Sequence, residues 1–179
     1  MIRMTAKERK RYRLTVTAYH EAGHAVVAVL NRMPLRDASI SVHISDASSG
    51  RTRLSATGAI SEGFAKGGKL GDREYRQVLR SACFNLAGDI AQHRFAPTAR
   101  RSDHSWSDLE NVSRLFKGIG LSGPKLRAVA SEVATKTDLL IDSNWSSVEA
   151  VANQLLEKGG LSGTQLRRIV RDTRPGKPR

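Results

Sequence analysis

The chain has 179 residues, a single cysteine and a formal net charge of +13. That length suits one domain with a core of its own, and Cys83 standing alone excludes an intrachain disulfide or a thiolate metal cluster. The apolar run Ala25 to Leu30 is too short to cross a bilayer, and no leader-like apolar stretch follows the basic start, so a soluble cytoplasmic protein is expected.

The positive charge is concentrated at the ends. Arg3, Lys7, Arg9, Lys10, Arg11 and Arg13 mark residues 1–13 as a basic N-terminal arm, with at most a helical turn. Arg171, Arg174, Lys177 and Arg179, interspersed with Pro175, Gly176 and Pro178, mark residues 171–179 as a disordered basic tail. Residues 14–170 between them form the expected domain. Its first helix starts from a Thr15 or Thr17 cap and runs to about Leu30 or Asn31, ahead of Pro34. In 38–44 the apolar Ile40, Val42 and Ile44 alternate with Ser39, Ser41 and His43, which is strand periodicity. Asp46 to Gly50 reads as a turn and 51–58 as a returning strand. The glycine-rich stretch Gly58 to Gly71 reads as a mobile loop suited to handling substrate.

A second helix is expected from Asp72 to Phe95, with Val78, Leu79, Ala82, Leu86, Ile90 and Ala91 as its buried stripe and Cys83 as a small core residue. After a loop over Pro97 to Asp103, a third helix runs from Asp108 to Lys117, capped by Ser105 or Ser107. Helices over 124–137 and 144–158 follow, with Trp145 packing near a helix start. The segments 118–127 and 158–167 echo each other as turn, serine cap and helix opening. The fold class is therefore mainly α, of α+β type, with a small β-hairpin or short sheet after the first helix.

The chemistry sits on that first helix, in His20-Glu21-Ala22-Gly23-His24. Residues four apart share a helix face, so His20 and His24 can turn two imidazoles toward one metal ion, while Glu21 stands beside it as a base. Two histidines one turn apart are also an ordinary surface pair. Here, however, they interrupt an apolar helix, where buried titratable groups are costly without partners. A zinc site needs a third protein ligand, and Asp103, His104, Asp108 and Asp89 are the candidates. Periodicity does not choose among them. Rigid support at a helix start gives Asp108 a modest lead. The remaining histidines, His43, His93 and His104, read as ordinary polar residues rather than ligands.

The run from Tyr19 to Ala28 resembles the zinc-binding helix of the FtsH-type ATP-dependent zinc peptidases. Leu86-Ala87-Gly88-Asp89-Ile90-Ala91 is similar to that family's Leu-x-Gly-Arg-x-Ala-Glu segment, and Ser105-Trp106-Ser107-Asp108-Leu109 to its Gly-Ala-x-x-Asp-Leu segment. Leu155 to Gly163 is similar to its late Leu-Leu-Glu-x-x-x-Leu-x-Gly piece. The likeness covers roughly residues 15–170 in order, and its first motif is the most specific. It implies Asp108 as the third zinc ligand beside His20 and His24, with Glu21 as general base. Apart from the resemblance, Asp89 and Asp103 are the carboxylates that could orient an imidazole through its other ring nitrogen. The chain departs from the pattern at Asp89, where the family has arginine, and at Gln92, where it has a carboxylate. No G-x-x-x-x-G-K-[ST] phosphate loop occurs.

The expected function is zinc-dependent peptide-bond hydrolysis, with a water activated at the metal and Glu21 as its base, on peptides or unfolded protein. A separate ATPase partner and homo-oligomer formation are compatible with it. The alternative is a zinc-binding regulatory or interaction protein of weak or no activity. Nucleic-acid binding through the tails ranks lowest, because they hold basic residues with little aromatic interleaving.

Overall fold

A computed structural model describes residues 4–42, 48–54, 71–99 and 103–174. Its elements are α1 (Ala6–Leu30), β1 (Leu35–Val42), β2 (Ser48–Leu54), α2 (Asp72–Phe95), α3 (Asp103–Gly118), α4 (Gly123–Ser143), α5 (Trp145–Lys158), β3 (Gly160–Ser162) and α6 (Gly163–Thr173). The protein is mainly helical with one small antiparallel sheet, as expected. Among the described residues no helix is long and apolar enough to cross a membrane.

Several boundaries differ from the sequence expectation. α1 starts at Ala6 because Thr5 and Glu8 form a reciprocal capping box. Residues 6–13 are therefore helical and continuous with the domain, and Thr15 bonds back to the Arg11 carbonyl inside the helix instead of capping it. The helix closes at Asn31, and Arg32 takes a left-handed φ of 55° ahead of Pro34. Ser48, Ser49 and Gly50 belong to β2 and not to a turn. α2 occupies the expected span. α3 begins five residues early, so Asp103 and His104 lie in a helix and Asp108 sits inside it rather than at its start. α6 extends through Thr173, so residues 171–173 are ordered. The proposed loop over 58–70, the turn residues 46–47, the strand end 55–58, His43, residues 100–102 of the loop after α2, and the tail 175–179 lie outside the described residues.

β3 was not anticipated. Its Leu161 pairs with Ala38 of β1, and both are buried. Among the described residues the sheet order is β2-β1-β3, with β2 at one edge. A register irregularity between Leu35 and Asp37 lets both Leu35 and Ala38 face the core. The echo between 118–127 and 158–167 is partial. Ser162 makes a full capping box with Gln165, whereas Ser122 occupies the N-cap of α4 without a side-chain bond.

Two apolar clusters organise the interior. The larger is built around α1, with Ala22, Val26 and Val27 packed among Ala87, Ala91, Val151, Leu155 and Leu166. Tyr19 stacks on Phe95 at 3.9 Å and on Trp145 at 5.6 Å, joining α1 to the end of α2 and the start of α5. The smaller cluster joins the first half of α2 to α3 and α4 through Val78, Ala82, Val112, Phe116 and Val133. Of the expected α2 stripe, Val78, Ala82 and Ala91 are fully buried, while Leu79, Leu86 and Ile90 are half-buried. Cys83 is half-buried and touches both clusters.

Candidate metal centre

The middle of α1 is buried on all sides, and its polar residues are buried with it. His20, Glu21 and His24 are 3%, 2% and 5% exposed. The four-residue spacing turns both imidazoles toward α2, where Gly88 leaves the space they occupy. A Cβ at position 88 would lie 2.7 Å from His20 Nε2 and closer still to His24 Nε2. Gly23 serves the same approach one turn away, since a Cβ there would meet the Ala87 carbonyl and Ala91. Small residues thus draw α1 and α2 together where the histidines need room.

Asp108 enters from α3. Its Oδ2 is 3.3 Å from His20 Nε2 and 3.1 Å from His24 Nε2, and the two Nε2 atoms are 3.1 Å apart. The three donor atoms form a nearly equilateral triangle that could hold a metal ion. His24 Nδ1 lies 2.7 Å from the Phe84 carbonyl. That carbonyl accepts a hydrogen bond from Nδ1–H, so the neutral ring presents the Nε2 lone pair to the triangle. His20 Nδ1 is buried and has no hydrogen-bond partner among the described residues.

The charges follow from this packing. Burial alone favours a neutral Asp108, but hydrogen bonds and charge from His20 and His24 outweigh it and hold its carboxyl well below the usual range. For His24, burial opposes protonation. The bond and charge of Asp108, the charge of Glu21 and the Phe84 carbonyl prevail, and its pKa is raised.

Glu21 is turned about 100° from His20 on α1 and faces β2. Thr52 Oγ1 is 2.7 Å from Glu21 Oε2 and 3.1 Å from the Glu21 backbone carbonyl. These groups open onto a cavity of about 650 Å³, lined also by Ser39, Gly50, Arg51, Phe84 and Ser107.

Four residues expected at the site, His20, Glu21, His24 and Asp108, come together. Among the described residues Asp89 does not orient an imidazole: His24 Nδ1 is taken by Phe84, and His20 Nδ1 has no partner there. It follows Gly88 on the helix, so its side chain is turned about 100° from the face that meets the histidines. Asp103 falls at the start of α3, and its side chain lies outside what the structure describes. His93 is exposed at the end of α2. Sequence reasoning missed Thr52, Gly50 and the Phe84 carbonyl. The last has no side-chain signature, and the other two acquire meaning only through the docking of β2 on α1. No protein-family model matches this chain, and no curated protein matches it in sequence.

Proposed function

We propose that this protein is a zinc-dependent peptidase resembling the FtsH-type protease domain, acting on peptides or unfolded polypeptide. The observation that carries the reading is the donor triangle with Glu21 buried beside it. Tetrahedral zinc with bonds of about 2.0–2.1 Å requires ligand atoms about 3.3–3.4 Å apart, and the triangle has edges of 3.1, 3.1 and 3.3 Å. Two imidazole nitrogens and one carboxylate oxygen are a donor set zinc accepts, and they leave a fourth position on the cavity side. Gly88 keeps the space between the imidazoles clear of a side chain.

In this reading His20 and His24 bind through Nε2 and Asp108 through Oδ2. A bound zinc ion supplies Lewis acidity, acidifying water and stabilising negative charge on a carbonyl oxygen. The Phe84 carbonyl fixes the tautomer of His24. Glu21 accepts the proton of the attacking water and returns it to the leaving amine nitrogen. A cytoplasmic setting accords with the single cysteine, Cys83. A separate ATPase would be needed to unfold stable substrates.

The test combines metal analysis with hydrolysis of an unfolded protein and of short peptides. Glu21→Gln is expected to retain zinc and lose turnover by about 10²–10⁴-fold; cleavage at the parental rate would sink the proposal. Asp108→Ala is expected to lose zinc. Stoichiometric zinc with no turnover in the parent would favour the regulatory alternative.

A further inference from the structure

Strand β2 presents two residues to Glu21, Thr52 and Gly50, and each is matched to it. Thr52 lies opposite Ala38 in the β1–β2 register, and Ala38 is buried against the core. Opposed residues share a face of the sheet, so Thr52 points the same way, onto α1. Its hydroxyl carries one proton and has two acceptors near it. The carboxylate oxygen at 2.7 Å is both nearer and charged, compared with the carbonyl at 3.1 Å. Gly50, two residues earlier on the same face, lies so close that a Cβ there would be 2.5 Å from Glu21 Oε1. On the opposite face the Arg53 guanidinium forms two 2.7 Å bonds to Asp37, which fixes the register beside Thr52.

The Thr52 hydroxyl donates a 2.7 Å hydrogen bond to the Glu21 carboxylate. A carboxylate 2% exposed needs such a donor. We propose that Thr52 is a positioning residue for Glu21: its hydroxyl occupies Oε2, fixes the carboxylate plane, and leaves Oε1 beside Gly50 to take the proton. This rests on the peptidase reading above. It assigns β2 a role in preparing the base, before any substrate is present.

The experiment compares Thr52→Val, which keeps the shape and removes the hydroxyl, with Thr52→Ser, which keeps the hydroxyl. For peptide hydrolysis, Thr52→Val should lower kcat about tenfold or more, with KM within about twofold and zinc content unchanged. Thr52→Ser should recover most of the loss. Parental kcat in Thr52→Val overturns the assignment, as does a loss confined to KM or a serine variant no better than valine. Glu21→Gln separates the two levels: if it is inactive while Thr52→Val is unimpaired, the positioning role fails and the peptidase reading stands. A measurement independent of turnover uses thermal unfolding of Thr52→Val, Glu21→Ala and the double variant. Because both single changes remove the same bond, the Tm loss of the double variant should fall short of the sum. Additive losses overturn the proposal whether or not any peptide is cut.

Discussion

The two histidines and the aspartate reach the same triangle from differently supported parts of the molecule. α1 is surrounded by α2, α5, α6 and the sheet, and its stretch Ala18 to Ala28 is fully buried. α3 rests on α2 and makes no comparable contact with any other element among the described residues. Its anchors are Val112 and Phe116 in the smaller cluster, and a 3.2 Å bond from Asn111 Nδ2 to Asn85 Oδ1. Asn85 adjoins Phe84, whose carbonyl holds His24, so one turn of α2 supports both a ligand's ring and the helix carrying another ligand. The histidine pair is thus fixed by the main core. Among the described residues, the helix carrying the third ligand rests mainly on α2, and site completion is coupled to the docking of α3.

The strongest disruption should come at Gly88, which serves both halves. In Gly88→Ala the new methyl group competes with the imidazoles for the space where a metal would bind. Zinc affinity measured by chelator competition should fall by about 10²-fold or more, beyond the usual effect of a supporting residue. Retained affinity would mean that the triangle opens elsewhere.

A matched pair of core truncations sharpens the contrast. Phe116→Ala and Leu155→Ala each remove a fully buried side chain, at a cost of about 2–5 kcal/mol in denaturant unfolding. Similar destabilisation should have unequal consequences. Phe116→Ala loosens α3 and should weaken zinc binding about tenfold, whereas Leu155→Ala should leave the affinity of the folded protein nearly unchanged. Equal losses of affinity would show that α3 is not the weaker support.

The smallest effect expected is a pH dependence of opposite sign with and without metal. His24 has a raised pKa in the folded, metal-free protein. Its contribution to stability is full below the ordinary histidine value of about 6.5 and is lost as pH rises through the raised value. Metal binding needs the neutral ring, so zinc affinity should increase over the same window. Melting temperatures in chelator should therefore decline from about pH 6.5 upward, while the additional stabilisation by zinc should grow. A flat chelator series would remove the buried His24–Asp108 pair from the account.

The span of α2 was legible because its ends and apolar stripe are local signals. The start of α1 was misplaced even though the Thr5–Glu8 capping box is also local, since the basic composition of 6–13 suggested a loose arm. The start of α3 was misplaced because its early residues are polar and lack an apolar stripe. Asp108 was therefore favoured for support at a helix start that it does not occupy.

By itself the sequence determined what periodicity and residue chemistry can specify: a mainly helical protein, two imidazoles on one helix face, and a carboxylate beside them. Only the tertiary structure could decide the rest. Asp108 lies 84 residues from His24 in the chain, and Thr52 meets Glu21 only because one strand register turns it toward α1. Such contacts arise from side-chain packing between elements distant in sequence, and no local pattern in either partner records the distance at which they meet.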